Sequence, residues 1–349
     1  MNSAFQTVIT SSRDDRRQLF LTAATRLNTA IQNVEKDFWV SWMLDALFNG
    51  VAKGAPRLLF KGGTSLSKGF GLIERFSEDI DITVFRDDLG ENATAEELEG
   101  LSKGKREAKL DAIRAACQKY MNGPLTDELA ALISATMKGA AIDPASFSLE
   151  ADPDDPEKQS LLFRYPTVAD EDAYVQAVIK VESGAKSAFD PHVERVIRPY
   201  VDDDAPDLDL QVPHVTTVVP QRTFWDKVVM LHGLRQWYDR REELRHGGQR
   251  VSRHYYDVHR LMAAEGVDAW VADYGLAADC ARHARVFFAR ADLGLSLATR
   301  GSFTLVPTDP MREALTRDYE LMSGMIFGKV PALGDVLRSV RDLEARINA

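Results

Sequence analysis

An α+β fold is predicted for this chain of 349 residues, and three observations predict it. Short apolar runs bounded by turn residues, such as Leu58-Leu59-Phe60 ahead of Gly62-Gly63, read as buried strands. Apolar residues three and four apart, as in Phe38, Trp39, Trp42, Met43, Ala46 and Leu47, read as one face of a helix. Helical periodicity then continues from Thr223 almost to the C-terminus.

In chain order, residues 13–50 read as helical and Val51 to Pro56 as a Gly/Pro break. After the Leu58 strand, a helix is expected from Thr64 or Ser65 to about Glu74, with Leu66, Phe70 and Ile73 on one face. Gly69 and Gly71 weaken it by roughly 1 kcal/mol each relative to alanine. A strand from Ile80 to Phe85 follows closely. Residues 87–157 are polar and mostly helical. Phe147 to Leu149, Leu161 to Tyr165 and Tyr174 to Glu182 are the next strands, the last with Val175, Ala177, Ile179 and Val181 alternating. Val215 to Val219 is one more. The expected organisation is residues 1–219 as N-terminal helices plus a strand-bearing core, and 220–349 as a helical region that completes a cleft. No internal repeat is visible.

Composition excludes several classes. Apolar residues make up 45% and charged residues 28%, which is ordinary for a soluble globular chain. The best candidate for a membrane span, Phe38 to Phe48, is interrupted by Asp45, so no membrane partner is expected. Met1 to Arg17 lacks a basic segment followed by an apolar one, and no secretory signal is expected. Two distant cysteines, Cys117 and Cys280, argue against a disulfide scaffold and for the cytoplasm.

The net charge of −10 argues at first against a nucleic-acid partner. Ten of the acids, however, fall in two segments: Glu150, Asp152, Asp154, Asp155 and Glu157, then Asp202, Asp203, Asp204, Asp207 and Asp209. The remainder is neutral. From Arg235 to Arg260 there are seven arginines against four acids, interleaved with Trp237, Tyr238, Tyr255 and Tyr256. Such a surface suits single-stranded RNA by phosphate pairing and base stacking; a solvated helix face with internal ion pairs is the other reading. His232, His246, His254 and His259 lie close in sequence but lack a zinc-binding spacing.

The stretch from Leu59 to Val84 carries the chemistry. A strand ends in Gly62-Gly63, whose bare backbone permits close approach of a ligand. Thr64 or Ser65 then opens a helix whose free N–H groups suit a phosphate. The chain returns as a strand with Asp79 and Asp81 on one face and Ile80, Ile82 and Val84 on the other. Two carboxylates side by side repel unless a cation lies between them, and oxygen-only ligands suit Mg²⁺ bound with a substrate's phosphates.

Lys61-Gly62-Gly63-Thr64-Ser65-Leu66, followed by Arg75-Phe76-Ser77-Glu78-Asp79-Ile80-Asp81, resembles the abortive-infection nucleotidyltransferases of the AbiEii/AbiGii toxin type. The gap from Gly63 to Asp79 is longer than the generic superfamily spacing but suits this branch. Val34 to Trp39 and the C-terminal tail are also similar, so the resemblance spans most of the chain. It implies a polymerase-β-like nucleotidyltransferase core, an NTP substrate and Mg²⁺ or Mn²⁺. It implies nucleotide binding by Lys61, Gly62, Gly63, Thr64, Ser65 and Lys68, and metal binding by Asp79, Asp81 and a third carboxylate, matched best by Glu182. A helical lysine and a later aspartate match Lys227 and Asp257. Thr223 and Asp226 have the spacing of a helix cap, which sets Lys227 just past the first turn, within reach of a triphosphate. Asp257 is read as orienting Lys227 or an acceptor hydroxyl, as a base, or as the partner of Arg253 or Arg260. The resemblance further implies an RNA acceptor such as the tRNA 3′ end, and a type IV toxin silenced by a cognate antitoxin. Nucleotidylation of a protein or small molecule, and a non-catalytic NTP- or partner-binding module, are the rival readings.

Overall fold

A computed structural model describes residues 1–77, 79–170 and 176–349, the His246 side chain excepted. Glu78 and the Tyr174–Val175 start of one expected strand therefore lie outside the described residues. The chain gathers into two compact units, one of residues 1–69, 76–93 and 102–218, the other of residues 70–75, 94–101 and 219–349.

The first unit opens with three helices, α1 (Ser3–Thr10), α2 (Arg13–Leu27) and α3 (Ile31–Asp45). The single helical stretch expected over 13–50 is thus two helices, because Asn28 takes a left-handed conformation (φ 51°) and caps α2. From Val34 to Asp45 every residue of α3 is buried, so the helix lies inside the unit rather than on it. Its polar residues are partnered, as buried polar groups must be. Glu35 accepts from the Val168 N–H at 2.7 Å and the Thr167 hydroxyl at 2.6 Å. Asp45 accepts from the Asn2 N–H at 2.6 Å.

Strand β1 (Leu58–Lys61) runs directly into the short α4 (Gly62–Lys68), followed by β2 (Ile80–Val84). The helix expected to reach Glu74 stops six residues earlier, at Lys68, with Gly69 as its cap and Gly71 left-handed just beyond (φ 64°). After α5 (Ala95–Glu99), which belongs to the second unit, come α6 (Lys103–Tyr120) and α7 (Thr126–Gly139). Strands β3 (Ser148–Ala151), β4 (Ser160–Arg164), β5 (Val178–Glu182), β6 (His192–Ile197) and β7 (Val212–Val218) complete the unit.

All seven strands form one mixed sheet in the order β3-β4-β5-β2-β1-β7-β6. The α+β class is as expected. Strand β6 escapes sequence reading because it is an edge strand, exposed along most of its length, with no apolar alternation. The centre is apolar on one side: Ile80, Ile82, Ile179, Val181 and Phe163 are buried. Trp39 of α3 stacks on Tyr165 at 5.7 Å, and Trp42 meets Phe163 at 5.6 Å.

The second unit is helical: α5, α8 (Pro220–Arg241), α9 (Ser252–Leu261), α10 (Val267–Ala272), α11 (Tyr274–Phe287), α12 (Asp309–Ser323) and α13 (Leu333–Asn348). Helix α8 starts at Pro220 after Val219, with no side-chain cap. Thr223 and Asp226 are therefore not a capping pair. Proline pre-set for the first helical position moves the start three residues upstream. Asp226 instead lies 3.4 Å from Arg222 one turn back.

Candidate functional site

In the first unit, backbone pairing places the motif. Strands β1 and β2 are antiparallel with Lys61 opposite Asp81, and β2 and β5 are parallel with Asp81 beside Glu182. Glu182, Asp81 and Lys61 therefore stand at one level across three adjacent strands, on the face opposite Ile80 and Ile82. Asp79 lies two residues ahead of Asp81, and its carbonyl accepts the Thr64 hydroxyl at 2.5 Å. Thr64 and Ser65 are both buried, and Ser65 Oγ donates to the Gly62 carbonyl at 2.9 Å. Their hydroxyls brace the Gly-Gly turn against the strand that bears the aspartates.

Gly62 is required twice over. Its φ is +81°, and a Cβ there would lie 2.1 Å from Asp81 Oδ2. Only a bare backbone lets this carboxylate lean over the turn.

Asp79, Asp81 and Glu182 form an all-oxygen donor set, suited to a hard cation such as Mg²⁺. Two of them share one sheet level and the third lies two residues upstream. Among the described residues, however, no three Asp, Glu, His or Cys side chains converge on a point where an ion would sit. Lys180, two residues before Glu182, holds it at 2.8 Å and Asp152 at 3.1 Å. Donor chemistry and register fit the cation; the Glu182 side chain is engaged elsewhere.

Lys68 is placed inside the first unit. Its ammonium pairs with Asp37 of α3 and lies 4.6 Å from the centre of the Tyr200 ring. The Tyr200 N–H donates to the other Asp37 oxygen at 2.6 Å. Burial pushes the Asp37 carboxyl up, against the pull of Lys68. Lys68 thus ties α4 to α3.

The second unit holds the remaining two candidates. Lys227 Nζ lies 2.8 Å from Asp257 Oδ2, bringing α8 and α9 together. Arg75 meets the same carboxylate with two N–H groups, Nε on Oδ1 at 2.8 Å and Nη2 on Oδ2 at 2.9 Å. All three residues are buried. Burial drives the Asp257 carboxyl up, but Arg75 and Lys227 outweigh it and hold it well below the usual range. Burial lowers the Lys227 ammonium, with Asp257 opposing and Arg75 adding to the fall. Of the readings open for Asp257, orientation of Lys227 is the one with a contact. Arg260, one of the partners expected for it, pairs with Glu74 at 2.8 Å instead. Arg75 was the residue missed. The available signal was a lone arginine four positions before Asp79, inside the motif itself.

Several arginines of the helical unit are ion-paired. Arg235 holds Asp239 at 2.8 Å, Arg241 holds Asp292 at 2.6 Å, and Arg282 and Arg285 both hold Glu99. Tyr255 and Tyr256 are buried and present no stacking face. Arg245 lies over the Trp237 ring at 6.0 Å, and Trp237 and Tyr238 remain half-buried. Some acids of the two acidic segments make structural contacts. Asp204 takes Arg26 at 2.7 Å, and Asp155 accepts from the Gln159 N–H and the Ser160 hydroxyl. Two of the histidines serve separate contacts, His232 with the Gly294 carbonyl and His259 with Ser339. Both cysteines are free and buried. Among the described residues no helix is long and apolar enough to cross a membrane.

A mixed sheet with strand-borne carboxylates beside a Gly-Gly turn, accompanied by helices, defines an α+β chain of the nucleotidyltransferase class. Residues 45–346 match the family described as nucleotidyl transferase AbiEii toxin, type IV toxin–antitoxin system, and the chain belongs to that family. It is a nucleotidyltransferase of the toxin type. Among solved structures it is similar to MenT4, a nucleotidyltransferase toxin from Mycobacterium tuberculosis H37Rv. The identity is 15% and the TM-score 0.42, over 97% of this chain and 98% of that one. No curated protein matches the chain.

Proposed function

We propose that the enzyme transfers a nucleoside monophosphate from an NTP to an RNA hydroxyl, with the tRNA 3′ end as first candidate, releasing pyrophosphate. The observation that carries this reading is the level shared by Lys61, Asp81 and Glu182 beside the Gly62 turn. Asp79, Asp81 and Glu182 would hold Mg²⁺, with Mn²⁺ as its substitute. Bound there, the ion would activate the attacking hydroxyl and stabilise the leaving pyrophosphate. Gly62 and Gly63 admit the phosphates to the backbone, and Thr64 and Ser65 keep that turn rigid. Lys68 anchors the helix that follows. Lys227, oriented by Asp257, supplies positive charge to the triphosphate. A cognate antitoxin in the cytoplasm would silence the activity.

The test is incubation with labelled NTPs, Mg²⁺ and total RNA. Wild type is expected to label RNA and Asp81→Ala to leave it unlabelled. Equal labelling by both proteins ends the transferase reading at this site. The rival reading is a protein acceptor, and label that survives RNase would establish it.

A further inference from the structure

Lys227 has a partner that costs it its charge. A buried 1:1 ammonium–carboxylate pair is neutral outward and offers little to a phosphate. Here the carboxylate is shared. Asp257, 0% exposed, gives both oxygens to Arg75, itself 4% exposed, while Lys227 uses only Oδ2. With all three ionised, Arg75 and Lys227 set two cations on the one Asp257 carboxylate. The Arg75 fork also fixes the plane of the carboxylate, and with it the direction in which Lys227 is held.

We propose that Arg75 is a positioning residue for nucleotidyl transfer, which satisfies Asp257 so that the charge of Lys227 remains available to a polyphosphate. The proposal rests on the reading of Lys227 as the triphosphate's cation. Arginine suits the task because its guanidinium stays charged when buried and its two parallel donors match a carboxylate. Lysine at the same position would preserve the charge and lose the fork. Arg75 is separated from Asp257 by 182 positions, and it precedes the Asp79-Ile80-Asp81 strand by only a few residues. The stretch of sequence from Arg75 to Asp81 thus carries both the carboxylates of the motif and the counter-ion of Asp257.

The experiment is calorimetric titration of the full chain with inorganic tripolyphosphate, without metal, after thermal melting has confirmed that each variant is folded. Arg75→Gln is expected to weaken binding about tenfold, equivalent to 1.4 kcal/mol. The double variant Arg75→Gln/Asp257→Asn removes the anion as well, and is expected to regain affinity to within about threefold of wild type on the same scale. A residue that only held the fold together would show no such rescue. A folded Arg75→Gln that binds like wild type, or a folded double variant no better than Arg75→Gln, overturns the proposal. If Arg75→Gln does not fold, Arg75→Lys decides: affinity near wild type supports the charge argument, and a loss as large as that of Lys227→Gln overturns it. Lys227→Gln is the separate control. Should it bind tripolyphosphate like wild type, the assignment of Lys227 falls first, whatever Arg75 does.

Discussion

The two sets of candidate residues are built by opposite means. On the sheet, Lys61, Asp81 and Glu182 are placed by backbone pairing, and their side chains stand at a strand end, half-buried. In the helical unit, Lys227 and Asp257 are placed by one another and by Arg75, with the carboxylate fully buried. The first arrangement survives loss of any one side chain, because the ladder sets the positions. The second depends on each charge having its counter-charge. Burial separates a residue whose loss costs chemistry from one whose loss costs the fold.

The sharpest way to break this contrast is Asp257→Ala. It strands Lys227 and Arg75 without a counter-ion, and a loss of about 3–5 kcal/mol is expected by chemical denaturation. The effect carries a pH signature. Because the folded carboxyl is held below its ordinary value, its stabilisation is present above the unfolded value and lost as pH falls through the folded one. The stability difference between wild type and Asp257→Asn should therefore shrink only below about pH 4. A difference that stays flat through that range would show that the charge pair contributes nothing.

Asp81→Ala should do the reverse. Transfer is expected to fall by at least about a hundredfold, the scale of removing one electrostatic group from a reacting site, while the melting temperature barely moves. A large fall in melting temperature would place Asp81 with Asp257 as a structural charge. Gly62→Ala tests both faces of the contrast at once. The left-handed backbone at φ +81° costs about 1–3 kcal/mol for a non-glycine residue. The added Cβ also displaces the Asp81 carboxylate, so activity should fall further than that stability loss explains. Lys180→Met is the smallest expected effect. Releasing Glu182 from a half-exposed pair should tighten Mg²⁺ binding by up to about fivefold in calorimetry, since such pairs are worth up to about 1 kcal/mol. Weaker binding would remove Glu182 from the donor set.

A continuous apolar run ending at Gly62-Gly63 made Leu58–Lys61 readable, and the Ile80, Ile82, Val84 alternation made Ile80–Val84 readable, since the sheet buries both sets. The same patterning could not find His192–Ile197, an edge strand held by ladder hydrogen bonds to Val212–Val218 rather than by apolar contact. The cap read at Thr223 failed for a local reason, since Pro220 claimed the first helical position. The helix after the strand was readable but its bounds were not, since it opens at Gly62 rather than at Thr64 or Ser65 and closes at Lys68. Gly69 and Gly71 were scored as weak links when they are the stop.

The amino-acid sequence by itself determined the order of strand, glycine pair, helix and strand, and the family. Those follow from interactions between near neighbours and from side-chain alternation, which a chain carries in its own order. Tertiary structure alone decided that Glu182 stands beside Asp81, that Lys68 belongs to Asp37, and that Arg75 holds Asp257. Each of these joins residues distant in the chain. Charged side chains have long reach and little local preference, so their partners emerge only when packing excludes water and leaves each buried charge one place to go.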